Sequence, residues 1–382
     1  MKKLNFSPVL TGEKEAVLRN EVRAFLKQYG AFNVSNIIDS WSICEPELSR
    51  ALAAEGWLGM TWPTKYGGGG RSYLERYVVI EELLAAGAPV GAHWVADRQS
   101  GPLLLRFGTE EQRQHFLPKI IRGECFFAIG MSEPNSGSDL ASIKTRAEKV
   151  EGGWLVNGSK IWTSWAHVCH QMITLCRTAP PSEDRHAGMS QLIINLNHKG
   201  ITVRPIVTLA GEAHFNEIFF DNVFVPDNRL VGQVNEGWSQ VVAELAFERS
   251  GPERFLSSYQ LLEAAIKTLR EANVTQQAEP VIGQFVARLM VLRQMSLSVA
   301  NQLQEGKLPV NEASVVKDLG TSFEQDLPEA MRLILATEPR LTANDGVARL
   351  LSDSILKAPS FSLRGGTREI LRGIIARGLG LR

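Results

Sequence analysis

A chain of 382 residues is too long for one ordinary hydrophobic core and long enough for two or three packed units. Lys+Arg and Asp+Glu each number 41, and this balance excludes the electrostatic case for nucleic acid or an anionic membrane as principal partner. A hydrophobic content of 44% suits a globular fold, and only a local basic pocket stays open.

The N-terminus MKKLNFSPVL has neither a secretory apolar segment nor an Arg-rich transit pattern, and no apolar run reaches the roughly 18 residues needed to span a bilayer. Cys44, Cys125, Cys169 and Cys176 are scattered without metal-ligand spacing and read as reduced thiols. The expectation is a cytoplasmic protein with no metal, no nucleic-acid partner and no membrane insertion.

Residues 1–125 read as a helical domain, with periodic stretches EAVLRNEVRAFLKQYG and EPELSRALAAEGWLGM broken by the turn-forming run Tyr66-Gly67-Gly68-Gly69-Gly70. A further amphipathic run covers Leu103 to Arg122, where Thr109 is placed to cap QRQHFLPKIIRGE. Residues 126–235 change to short apolar runs separated by Gly, Asn, Asp and Pro: GGWLVNGSKIWTS, QMITLCRT, SQLIINL, ITVRPIV and NEIFFDNVFV. These predict a compact β domain. Residues 236–382 return to helical periodicity, with helices predicted around 238–271, 279–304 and 311–337 before a Gly-punctuated tail at 364–382.

The segment FAIGMSEPNSGSDLASIKT, followed by VNGSKIWTS, resembles the paired β-domain signatures of the acyl-CoA dehydrogenase family. GTEEQRQHFLPKIIRGE, EIFFDNVFVPDNRLVGQVNEGW and GGTREILRGIIARGLGL extend the resemblance over nearly the whole chain. It implies an α+β multi-domain fold: an N-terminal helical domain, a central β-barrel or sandwich and a C-terminal four-helix bundle. FAD would lie between the β domain, the bundle and a neighbouring subunit. The domain order matches the one read from periodicity.

Oxidising the Cα–Cβ bond of an acyl thioester needs an acceptor for a hydride, which no side chain provides, so a cofactor is required and flavin fits. Ser132 and Ser138 offer hydroxyls to flavin or phosphate oxygens, and Gly137 lets the backbone approach a ligand. The resemblance implies that Ser138 also touches the CoA portion of the substrate. Trp162 and Ser164 match positions where an indole packs on the isoalloxazine and a hydroxyl or amide addresses its N5 edge. The plain alternative makes Trp162 a core aromatic and Ser132, Gly137 and Ser138 a turn.

The weakly acidic Cα proton calls for a carboxylate base and for hydrogen-bond donors to the thioester oxygen. Many family members carry that base as the Glu of Tyr-Glu-Gly-Thr near the C-terminus. Here the stretch is Arg364-Gly365-Gly366-Thr367, and Gly365 cannot do that work. A minority of the family carries the base on the first long helix of the bundle, just before an Arg, and LAFERSGPERF supplies Glu248-Arg249 there. The resemblance implies that Glu248 removes the α proton as the β hydride passes to flavin N5. Its plain alternative is a solvated glutamate sharing a helix face with Glu244.

A backbone N–H of the Gly365-Gly366 loop, with a flavin ribityl hydroxyl, is the implied oxyanion site. Thr367 and Glu369 match positions facing the dinucleotide. Arg249 is expected near the substrate or supporting Glu248, with a surface salt bridge as its alternative.

Two family stretches that bind the ADP part of FAD across a subunit interface, Arg-x-x-Phe-Gly and Gln-x-x-Gly-Gly-x-Gly, have no counterpart. The nearest regions are REANVTQQAEP and LATEPRLTANDGVARLL. Similar losses occur in bacterial members that act on bulky acyl-CoA side chains, such as those of steroid breakdown, and assemble as α2β2 heterotetramers. The expectation is an acyl-CoA dehydrogenase in a homotetramer or an α2β2 heterotetramer, passing electrons to an electron-transfer flavoprotein or similar acceptor. The alternatives are an acyl-CoA oxidase or flavin monooxygenase of the same fold, and a catalytically silent subunit that completes a partner's site. A helical scaffold that merely binds a partner leaves the paired signatures unexplained.

Overall fold

The computed structural model describes residues 3–32, 37–180, 182–273, 276, 278–342 and 346–381, and of residues 244–248 the backbone. The first part of the chain is helical: α1 (Glu13–Tyr29), α2 (Pro46–Ala54), α3 (Tyr73–Ala85), α4 (Gly91–Val95), α5 (Gly101–Phe107) and α6 (Glu110–Ile121). A π-helical turn, Ala96–Ser100, joins α4 to α5. Strands follow: β1 (Phe127–Gly130), β2 (Arg146–Val150), β3 (Gly153–Ser164), β4 (Gln171–Arg177), β5 (Met189–Asn195), β6 (Ile201–Ile206), β7 (Phe215–Pro226) and β8 (Leu230–Val231). The remainder is α7 (Gly237–Glu248), α8 (Tyr259–Glu271), α9 (Glu279–Gln304), α10 (Val310–Leu335), α11 (Val347–Phe361) and α12 (Arg368–Gly378).

The chain divides into two compact units. One comprises residues 1–43, 71–89 and 246–382, the bundle unit; the other comprises 44–70 and 90–245, the sheet unit. The dividing line falls within α7.

The sheet unit is built on one eight-stranded sheet in the order β6-β7-β3-β2-β4-β5-β8, with β1 pairing β4 in parallel. Period-two alternation along β4 explains its two-sided burial. Met172 and Cys176 join a core with Phe126, Val156, Leu192 and Ile218, while Ile173 joins Phe127 and Ile193 under Phe116, Leu117 and Ile120 of α6.

The run predicted from Leu103 to Arg122 is two helices, because Gly108 is extended (φ −67°, ψ 158°) between α5 and α6. Thr109 caps α6 as expected: its hydroxyl accepts from Gln112 N–H at 3.2 Å, and the Gln112 side chain accepts from Thr109 N–H at 3.1 Å. This reciprocal pair satisfies two amides that a helix start otherwise leaves open. Thr109→Ala is expected to lower unfolding stability by about 1 kcal/mol. Urea denaturation would check this, an unshifted midpoint removing the cap's role.

In the bundle unit the two 26-residue helices α9 and α10 pack together, with α8, α11 and α12 against α10. Gly320 of α10 is required there, since a Cβ would stand 2.2 Å from the Arg254 carbonyl oxygen. Glu81 and Glu82 of α3 are buried, and they are met by Arg19 and Arg23 of α1 and Arg293 of α9. The continuous helix predicted over 238–271 is corrected. α7 ends at Glu248 and α8 begins at Tyr259, with a 3₁₀ turn over Pro252–Arg254 between them. Pro252 lacks the N–H a helix needs and steers Gly251 out of the helical region, where it is found extended (φ −76°, ψ 170°).

Candidate active site

The two signature segments of the sheet unit are stitched side by side. Ile161 N–H donates to the Ser132 carbonyl at 2.9 Å. One residue back on β3, the Lys160 ammonium is fully buried and donates to the Met131 carbonyl and to Glu133 Oε1, both at 2.9 Å. Glu133 also accepts from the backbone amides of Lys144 (2.6 Å) and Thr145 (2.8 Å). Burial pushes the Glu133 carboxyl up, but the Lys160 charge and these donors outweigh it and hold the group below its ordinary value. One carboxylate thus fastens both ends of the 131–145 segment to β3.

This arrangement sets the next residues. The β3–β7 ladder is irregular between Lys160 and Thr163, and Trp162 and Trp165 both adopt left-handed backbone, φ +61° and +54°. Such a conformation costs a bulky residue about 1–2 kcal/mol. Trp162 stands 55% exposed, its ring edge-on to Phe215 at 5.8 Å, so the reading of it as a core aromatic is excluded. Ser132 and Ser164 are half-buried, and Gly137 and Ser138 are exposed. A Cβ added at Gly137 would meet no atom within 4 Å, so it would project into open space. A flat exposed indole, hydroxyls nearby and an uncrowded glycine fit an aromatic ring with a polar tail. These residues fit a flavin.

In the bundle unit the Gly365-Gly366 loop is gripped by two arginines. Arg249 is 3% exposed and its Nε donates to the Gly365 carbonyl at 3.0 Å, which corrects the surface salt-bridge alternative: a guanidinium this buried is bonding backbone within the fold. Arg364 donates to Asp39 Oδ1 (2.6 Å) and Ser257 Oγ (2.8 Å), lies 3.4 Å from Glu324 Oε2 and packs over the Phe361 and Trp41 rings. Burial raises the Asp39 carboxyl, yet Arg364 and Lys357 more than compensate and hold it below its ordinary value. Glu324, also buried, is pushed above its ordinary value.

Thr367 is the residue before α12, half-buried, and Glu369 is exposed in the first turn. Its own backbone N–H and the Thr367 hydroxyl hold the Glu369 carboxyl below its ordinary value. A fixed negative charge there suits a hydroxyl or amine of a dinucleotide and not its diphosphate. Glu248 is the last residue of α7, next to Arg249; its side chain lies outside the described residues, as does that of Glu244.

Ser132, Gly137, Ser138, Trp162 and Ser164 therefore belong to the sheet unit, and Glu248, Arg249, Gly365, Thr367 and Glu369 to the bundle unit. The Glu133–Lys160 pair leaves little trace in the sequence although both residues sit inside the signature segments; a charged residue midway along an apolar strand is the signal it gives. The Arg364 cluster left none, because its partners lie 325, 107 and 40 residues away. The four cysteines are free and burial raises all four, with Cys176 pushed up to about 12, so none is a ready nucleophile. Among the described residues no helix is long and apolar enough to cross a membrane, and no cluster of three or more His, Cys, Asp or Glu could hold a metal ion.

Patterns for the acyl-CoA dehydrogenase N-terminal, middle and C-terminal domains match residues 12–124, 128–223 and 235–380. The chain belongs to the acyl-CoA dehydrogenase family. Among acyl-CoA dehydrogenases, IpdE1 of Mycobacterium tuberculosis is 35% identical over 344 residues, 87% of each chain. FadE34 of the same organism is 35% identical over 344 residues, covering 87% of this chain, which spans only 46% of FadE34's length. Of solved acyl-CoA dehydrogenase structures, the Tcur3481-Tcur3483 steroid ACAD superposes with a TM-score of 0.88 at 28% identity, covering 98% of this chain and 99% of that one. The ChsE4-ChsE5 complex from Mycobacterium tuberculosis gives 0.86 at 26%, covering 98% and 99%. Named acyl-CoA dehydrogenases are oxidoreductases acting on CH–CH bonds, and the predicted fold class is that of this family.

Proposed function

We propose that the protein is an FAD-dependent dehydrogenase that oxidises the Cα–Cβ bond of an acyl-CoA thioester to the trans-2-enoyl product, with Glu248 as the base. The observation that carries this reading is the bond from Arg249 to the Gly365 carbonyl. It ties the residue beside Glu248 to the loop where many family members carry their carboxylate, so a base at 248 and a vacant position at 365 belong to one neighbourhood. Ser132, Gly137, Ser138, Trp162 and Ser164 would hold FAD, with Thr367 and Glu369 toward its dinucleotide end. When bound, FAD supplies the hydride acceptor that no side chain offers. Glu248 takes the Cα proton, a backbone N–H of the Gly365-Gly366 loop donates to the thioester oxygen as enolate charge develops, and Ser138 and Arg249 orient the substrate.

The chain lacks the two ADP-binding stretches of the family's homotetramers, and two of its structural neighbours are named as pairs of different subunits. We therefore place it in an α2β2 heterotetramer of the cytoplasm acting on a bulky, steroid-like acyl chain and reducing an electron-transfer flavoprotein. The test is purification alone and with co-expressed neighbouring dehydrogenase chains, followed by the flavin spectrum and its bleaching by acyl-CoAs of different bulk. Flavin retained and bleached only in a mixed assembly is expected. A chain that binds no flavin in any assembly overturns the enzyme reading, and full loading of the isolated chain overturns the heterotetramer.

A further inference from the structure

Trp162, in the irregular part of β3, and Trp165, just past the strand's end, share a left-handed backbone that nothing in an indole side chain favours. What holds them lies on β7. Asn216, the ladder partner of Thr163, is completely buried, and its Nδ2 donates to the carbonyls of Thr163 at 3.0 Å and His214 at 3.2 Å. The His214 carbonyl also accepts from Trp165 N–H at 2.7 Å. Both amide hydrogens of Asn216 are thus committed to carbonyls just beyond the register shift: one follows Trp162 directly, and the other pins Trp165. Its Oδ1 lies 2.8 Å from His167 Nδ1 and can only accept, so the hydrogen of that His167 nitrogen faces it. The His167 ring in turn sits 5.3 Å from that of Trp165.

We propose that Asn216 is a positioning residue for the flavin ring, clamping the β3 distortion so that Trp162 stands out as a rigid platform; this rests on the flavin reading above. The chemistry of the site explains the choice of asparagine. Aspartate would set an acceptor oxygen in place of Nδ2 against two carbonyls, glutamine is one methylene too long for a fully packed site, and serine has a single donor. Asparagine alone offers two donors and an acceptor at this reach.

The test is a double-mutant cycle on the full-length protein in its purified assembly, read by FAD titration through flavin fluorescence. Asn216→Ala is expected to weaken FAD binding about tenfold. Asn216→Asp keeps the volume and removes both donated bonds, so it should act in the same direction and serves if the alanine variant does not fold. In a Trp162→Ala background either change should cost no further affinity, because the platform it positions is gone. Losses that add, or an unchanged FAD affinity in the single variants, overturn the proposal.

Absence of flavin binding by the wild type in every assembly would sink the flavin reading instead. Hydrogen exchange on the protein without flavin then decides the clamp. Amides 162–165 should exchange at least tenfold faster in Asn216→Asp while those of β4 and β5 stay unchanged, and equal exchange overturns it.

Discussion

Glu248→Gln is expected to lower kcat by about 10³-fold, the usual contribution of a general base, while flavin content and the unfolding midpoint stay at wild-type values. Glutamine keeps the shape and loses the proton acceptor, so the loss should fall on kcat far more than on KM. Three described residues around Arg249 and its loop offer no substitute. Gly365 has no side chain, Asp39 is committed to Arg364, and Glu324 is buried against Ser257 N–H and Arg364. Steady-state turnover with an artificial electron acceptor measures the effect. Full activity in this variant would move the base elsewhere and return the chain to the role of a silent subunit.

The second large effect concerns the fastening beneath Trp162. Lys160→Met is expected to destabilise the protein by about 3–5 kcal/mol, because it strands the Glu133 carboxylate in a buried site. Adding Glu133→Gln should recover a good part of that loss, since two neutral groups of similar size no longer demand charge compensation. Chemical denaturation of the two single variants and the double closes this cycle, and additive losses would show that the residues do not act as a pair.

The pair also makes stability depend on pH. The folded Glu133 carboxyl titrates below its ordinary value, so its contribution is fully present above about pH 4.3 and is lost as pH falls through the depressed folded value. The gap between wild type and Lys160→Met should therefore narrow in acid. A gap constant from neutral pH down to pH 3 would count against the ion pair.

The sequence announced its helices and strands where periodicity and caps are local. β4 shows as a short apolar run and Thr109 as a cap, because each depends on residues within a few positions. The break between α7 and α8 was legible too, in Ser250-Gly251-Pro252, but helical periodicity on both sides masked it. The site residues are legible only through a family signature, which supplies positions and not contacts. Asn216 illustrates the limit. On the sequence it is one polar residue beginning an apolar strand; its meaning depends on the Thr163 carbonyl, which a distorted ladder turns toward it from 53 residues away. Arg364 is similar, since its partners converge from three distant segments.

The loop conformation at residue 365 bears on how this chain could change. Gly365 has φ +67° and Gly366 φ +95°, and a Cβ on Gly366 would approach Arg249 Nη2 to 3.2 Å. A glutamate introduced at 365 would have to adopt that left-handed backbone, at a penalty of roughly 1–2 kcal/mol, while its carbonyl is held by Arg249. A carboxylate placed at 365 would thus carry a backbone penalty that glycine avoids, so the turn as Arg249 holds it favours a residue without a side chain there.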